Sequence, residues 1–216
     1  MKRVNSMVAG LLLGLVSCLA QAQVAVLVHG YLGSADSWEQ SGVNSVLVAE
    51  GWKRAGILRA DPYGVELVPV IGDEGEDTLY QADLPSLAPM MLQAQLLQSM
   101  LRQVERLHPG EPVTLVAHSA GGVVSRIALV QGGVGQVQAL VTIASPHLGT
   151  GRAIQALESS DTPWPFCLVQ NFFTGGGTRL LRESRGALLD LVPAQPGSLL
   201  YWLNNQPHPD IVYHAI

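Results

Sequence analysis

Two short stretches of the chain are apolar without interruption. VAVLVHG (Val24–Gly30) and VTLVAH (Val113–His118) are rich in β-branched residues, and each runs into a turn of glycine or other small residues. A strand with one wet face alternates apolar and polar positions. A strand buried on both faces does not, so these two predict interior strands of a parallel sheet. VQALVTIAS (Val137–Ser145) reads the same way. Between the strands the apolar positions fall at three- and four-residue spacing, the period of a helix with one buried face. SGVNSVLVAEGW (Ser41–Trp52) has that spacing and a glycine stop. SLAPMMLQAQLLQSMLRQVERLHPG (Ser86–Gly110) has it too, with Ser86 as candidate cap and His108-Pro109-Gly110 as terminator. GGVVSRIALVQGG (Gly121–Gly133) is a third helix, opening in glycines. VELVPVI (Val65–Ile71) and TLYQADLP (Thr78–Pro85) read as strands or extended connections, and the acidic GDEGED between them as a solvated turn. Strands alternating with helices predict crossover units: an α/β fold, mainly parallel, with helices on both faces of the sheet.

After Pro146 the pattern weakens. Short helical pieces, two aromatic clusters and a triple glycine predict a cap- or lid-like insertion over about residues 147–195. PHPDIVYHAI then returns to an apolar strand. The first 22 residues read differently from everything that follows. MKR is a positive start, MVAGLLLGLVSCLA an apolar core of about 14 residues, and AQA (Ala20–Ala22) a small-residue cleavage site. That core is too short to span a bilayer comfortably. The expectation is an export signal over 1–22 and one domain over 23–216, exported to the periplasm or secreted. LVSC (Leu15–Cys18) also resembles a lipobox, which makes a lipoprotein anchored at Cys18 the alternative. Either way Cys167 has no intrachain disulfide partner.

Composition narrows the picture further. The 216 residues suffice for one sizeable core, and the net charge of −5 comes with no basic stripe interleaved with aromatics, so nucleic acid is not an expected partner. HExxH, paired CxxC and calcium-loop spacings are all missing from the sequence, so neither metal nor cofactor is expected.

The candidate chemistry lies in LVAHSAGGVV (Leu115–Val124). Here Ser119 sits between a buried strand and a helix, with small residues at Ala117, Ala120 and Gly121. A nucleophilic serine needs an exposed oxygen, which a sharp strand–turn–helix elbow supplies only when its flanking residues are small. The competing reading is that Ser119 caps the helix after it. At the end of the first strand stands a second feature, His29-Gly30, where His29 is expected to orient the following loop by hydrogen bonding.

VLVHGYLGSADSW, VTLVAHSAGGVVSRIAL and VTIASPHLGT resemble the oxyanion strand, the elbow and the following strand of α/β-hydrolases of the bacterial lipase and esterase group. The resemblance spans roughly Val24–Thr150. It implies the α/β-hydrolase fold, Ser119 as nucleophile, and an oxyanion hole made by the backbone amides of Tyr31 and Ala120. It implies cleavage of carboxylic esters, most of all acyl-lipid esters, and contact with a membrane or lipid surface. A thioesterase or amidase on the same scaffold, or an inactive acyl-binding homologue, are the alternatives. The implied triad order is serine, acid, histidine. Downstream of Ser119 the aspartates are Asp161, Asp190 and Asp210, and the histidines His147, His208 and His214. The resemblance makes His147 structural and places the acid after the DIVYHAI strand and the base one strand later. Acid and base are therefore expected beyond Ile216, with the C-terminal part of the fold incomplete. An in-chain pair such as Asp190 with His208 is the alternative.

Overall fold

The computed structural model describes residues 24–61, 63–133, 135–160 and 177–216. The expected export signal, with Cys18, and the stretch holding Asp161 and Cys167 lie outside the described residues. Seven strands form one sheet: β1 (Val24–Val28), β2 (Trp52–Asp61), β3 (Gly64–Pro69), β4 (Asp77–Asp83), β5 (Val113–His118), β6 (Val137–Ile143) and β7 (Val212–Ala215). Their order across the sheet is β3-β2-β4-β1-β5-β6-β7. Every neighbouring pair is parallel except β2–β3, an antiparallel hairpin. The helices are α1 (Ser37–Gln40), α2 (Val43–Ala49), α3 (Met90–Leu107), α4 (Ala120–Gly132), α5 (Gly151–Ser160), α6 (Gly177–Glu183), α7 (Arg185–Asp190) and α8 (Leu199–Asn204).

The uninterrupted apolar runs have the expected cause. All five residues of β1 have no exposed surface, because alternate side chains enter two separate cores. Val24, Val26 and Val28 join Leu115 and Ala117 of β5 and the buried faces of α3 and α4. On the other face Ala25 and Leu27 pack with Val116, Trp38 of α1 and Leu47 of α2. Central strands covered by helices on both sides must be apolar at every position.

Three local expectations are corrected. The first is β2, whose WKRAGILRAD the sequence pattern did not pick out as a strand. It places three basic residues on a strand beside the hairpin edge. Arg54 reaches Asp73 and Glu39, and Arg59 reaches Asp83 at 3.1 Å. The second follows from the same contacts: the acidic turn is not merely solvated, because Asp73 is the Arg54 partner. The third is the start of α3. Ser86 does not cap it; the helix begins at Met90 behind Pro89, where a missing N–H is no loss. The Met90 amide donates instead to the Asp190 carboxylate at 2.8 Å, so α7 supplies the cap of α3 from a hundred residues away.

Burial pushes the Asp190 carboxyl above its ordinary pKa, and the Met90 N–H opposes that shift. Asp190→Ala is expected to lower unfolding free energy by about 0.5–2 kcal/mol, the usual effect of a lost helix cap. Asp190→Asn keeps an acceptor oxygen and should lose less. Urea denaturation of the two variants measures the difference.

Candidate functional site

From β1 the chain fills one side of the sheet with β2, β3 and β4, then crosses to the other side with β5, β6 and β7. The C-terminal ends of β1 and β5 flank that change of direction, where open α/β sheets leave a crevice. Gly30 follows β1 and Ser119 follows β5, so the two sequence features meet there.

Ser119 has φ 53° and ψ −128°, a left-handed conformation that a residue with a Cβ seldom adopts. Its amide stays in the sheet ladder, donating to Ile143 O at 2.8 Å, and α4 begins at the next residue. Ser119 occupies the N-cap position, yet its side chain makes no cap hydrogen bond. The capping explanation for this serine therefore fails. Missing Cβ atoms make the turn geometrically possible. A Cβ on Gly30 would lie 2.8 Å from Ser119 Cβ and 3.3 Å from Ser119 Oγ. One on Gly121 would run into the His29 and Val28 carbonyl oxygens, and one on Gly122 into the Ser145 side chain. So Gly30 sits directly against the hydroxyl-bearing carbon, with the Tyr31 amide one peptide further on. Neither the Tyr31 nor the Ala120 amide donates to another group among the described residues. Ala120 also opens α4, where unpaired N–H groups and the helix dipole favour negative charge.

The Gly30 loop is fixed from below by a neutral histidine. Leu84 N–H donates to His29 Nε2 at 3.0 Å, which leaves the ring proton on Nδ1 to donate to Gly30 O, also at 3.0 Å. His29 is 2% exposed, and burial holds its pKa below the ordinary value. Asp83 accepts from the Ala35 amide at 3.1 Å, and Gln81 donates to Ala35 O at 3.0 Å, so the end of β4 holds the far side of the loop. Its near side meets the residue before α7: Tyr31 and Ser184 share a 2.6 Å hydroxyl hydrogen bond across 153 residues. Sequence reading did not find Ser184, since no local pattern marks a partner so far along the chain.

The downstream histidines and aspartates lie elsewhere. Among the described residues no histidine or carboxylate hydrogen-bonds Ser119. Asp190 sits at the start of α3 and His208 beside Arg126, so the structure does not bring the Asp190–His208 pair together. Asp210 is exposed. His147 Nδ1 accepts from Arg126 Nη1 at 3.2 Å, and its Nε2–H faces Thr142 Oγ1 at 3.1 Å. Thr142 in turn donates to His214 O on β7 at 3.3 Å. His208 Nε2 accepts from Arg126 Nη2 at 2.8 Å, while its Nδ1–H faces Gln206 O at 3.0 Å. Burial, then the Arg126 charge, holds both histidines below their ordinary pKa. One signal for this cluster was legible in advance: Arg126 is the single charged residue of α4.

Residues 84–158 match the family described as PGAP1-like alpha/beta domain. Among solved structures, the chain is similar to the Bacillus licheniformis lipase BlEst2 in its propeptide form. There the TM-score is 0.58 and the identity 21%, over 91% of this chain and 36% of that one. It is similar also to the lin2722 gene product of Listeria innocua, with TM-score 0.51 and 13% identity over 89% of this chain and 97% of that one. A third is the phospholipase PlaB of Legionella pneumophila, with TM-score 0.50 and 12% identity over 91% of this chain and 39% of that one. The chain spans about a third of the propeptide form of the Bacillus lipase and 65% of its mature form. No curated protein matches the sequence.

The neutral His29 gives the loop a pH dependence with a definite sign. Its folded pKa lies below the unfolded value of about 6.5, so below that pH the unfolded chain takes up a proton that the folded chain resists. Stability contributed by His29 is therefore full above about pH 7 and is lost as pH falls through 6.5 toward the folded value. Urea midpoints at pH 7.5 and 5.5 should show the drop, and His29→Gln should make it shallower.

Proposed function

We propose that this chain, which has the α/β-hydrolase fold, is a serine hydrolase that cleaves carboxylic esters through an acyl-enzyme on Ser119. The observation that carries the reading is a serine in a strained N-cap position that does not cap. Strain of that kind persists only where the surroundings impose it, and it clusters at reactive centres. Ser119 Oγ attacks the acyl carbon. The developing oxyanion is received by the Tyr31 amide of the loop after β1 and the Ala120 amide at the start of α4. Its collapse expels the alcohol with a proton and leaves the acyl-enzyme, which water then hydrolyses to the acid and free Ser119. Among the described residues no histidine hydrogen-bonds Ser119, and none of them is assigned the base role in this reading.

Acyl-lipid esters are the substrate class we favour. Leu32 (55% exposed) and Leu148 (75% exposed) hold apolar side chains in water on the loops that follow β1 and β6, at the edge of the sheet where Ser119 sits. The lipase and phospholipase names of proteins sharing the fold point the same way. Contact with a lipid surface follows from the same exposed leucines. A thioesterase or amidase on this scaffold differs only in the leaving group, and an acyl-binding homologue would keep the pocket without turnover. We further propose export, carried by the order of positive start, apolar core and Ala20–Ala22, with lipidation of Cys18 as the alternative. Among the described residues no helix is long and apolar enough to cross a membrane.

A fluorophosphonate probe should label the protein, with the adduct mapped to Ser119 by peptide mass spectrometry, and Ser119→Ala should abolish it. Labelling that survives the substitution removes Ser119 from the reaction. The Tyr31–Ser184 bond gives a graded test. Ser184→Ala should slow labelling about three- to ten-fold, the equivalent of a net hydrogen bond of about 0.5–1.5 kcal/mol. Tyr31→Phe should match it, and the double variant should be no slower than either.

A further inference from the structure

Arg126 has a surplus that its surroundings do not absorb. It is half-buried in α4, and burial pulls its pKa below the ordinary value. Its guanidinium hydrogen-bonds only neutral acceptors: His208 through Nε and Nη2, Asn204 Oδ1 through Nη2 at 2.9 Å, and His147 through Nη1. No carboxylate pairs with it among the described residues. A charge taken out of water without an opposite charge is costly, and neutral acceptors return only part of that cost. Yet the protein carries a net charge of −5 and has acids to spare. Beside the guanidinium lies a cavity of about 440 Å³ whose walls include Arg126, Thr142, His147, Asn204, His208 and His214, with no acidic residue among its described lining. Tyr213 closes one side, its ring edge-on to His208 at 6.3 Å. The size suits a small ligand, and the charge specifies its sign.

We propose that this cavity is a binding site for a small oxyanion, a carboxylate or a phosphate, held by the Arg126 guanidinium with His147 and His208 as proton-linked partners. Arginine's planar fork matches both anions in bidentate fashion. The second Nη1–H of Arg126 has no partner among the described residues, and turning away from His208 frees Nε and Nη2 as a pair. With the anion in place the two histidines face a negative charge beside the positive one, which offsets the Arg126 contribution to their lowered pKa and leaves burial as the opposing cause. Each can then take a proton and become a second donor. The remaining groups around them are Tyr213 and His214 from β7, Thr142 from β6 and Asn204 from α8, none of them an acid. Binding therefore takes up protons and tightens as pH falls through the histidine range. The site lies on the β7 side of α4, about two turns from Ser119, and does not depend on Ser119 being a nucleophile.

The test is a titration of the 216-residue protein, labelled at its histidine rings, with sodium butyrate in one arm and sodium phosphate in the other. Sodium chloride at matched ionic strength is the blank, and NMR at pH 6.0 and 8.0 is the readout. The expected result is saturable movement of the His147 and His208 ring signals, with His29 still. Affinity should be tighter at pH 6.0 than at pH 8.0, by at most about ten-fold for each histidine whose pKa the anion raises by one unit. Response in the butyrate arm alone marks a carboxylate site, in the phosphate arm alone a phosphate site, and in both the shared oxyanion chemistry. Arg126→Gln should abolish the response. Should that variant not fold, His208→Gln, at a partly exposed position, should keep binding but lose much of its pH dependence. Movement equal to the chloride blank, movement shared by His29, or unaltered binding by folded Arg126→Gln would each overturn the site.

Discussion

The close approach of two strand ends governs this molecule. Between the carboxyl ends of β1 and β5 there is no room for a Cβ at Gly30 or at Gly121, and that lack of room bends the chain at Ser119 into a left-handed conformation. The shape of the turn follows from it. Were either glycine to carry a side chain, α4 would have to lift from β1, and the strained turn would relax toward an ordinary helix start. The strain is sustained because both sides are anchored in buried strands with 0% exposed residues at their centres.

Histidines are used in two opposed ways around this frame. His29 is neutral because it is enclosed, and its two nitrogens are committed to backbone groups, so it behaves as a rigid strut beneath the loop after β1. Burial, then the guanidinium that faces them, holds His147 and His208 below the ordinary pKa. The enclosure of His29 belongs to the fold. The Arg126 contribution depends on what occupies the cavity and can be offset without unfolding anything.

How much of this was legible in the chain depends on the range of the interactions. β1, β5 and β6 announced themselves because burial on both faces leaves no polar position to confuse the pattern. The elbow serine was legible because its constraint is local: small residues on either side of one position. β2 was not, since Lys53, Arg54 and Arg59 read as loop or surface until Asp73, Glu39 and Asp83 stand beside them. The start of α3 was misread for the same reason, its cap being Asp190 in α7. Ser184 and the Arg126 cluster belong to that class too. Each is a contact across dozens of residues, which no periodicity encodes.

The pairing of β1 with β5 also dictates when the site can come into being. Val24 lies opposite Val113, so about ninety residues of chain must close into a loop before the two strand ends meet. The β2–β3 hairpin and α3 are local and can form early, but they contain none of the turn. Until β1 docks, nothing prevents Ser119 from lying as an ordinary first-turn residue of α4. The strained turn at Ser119 is thus a late event in folding, assembled by the slowest kind of contact this topology contains. A nascent or partly folded chain carries the serine but not its strained turn.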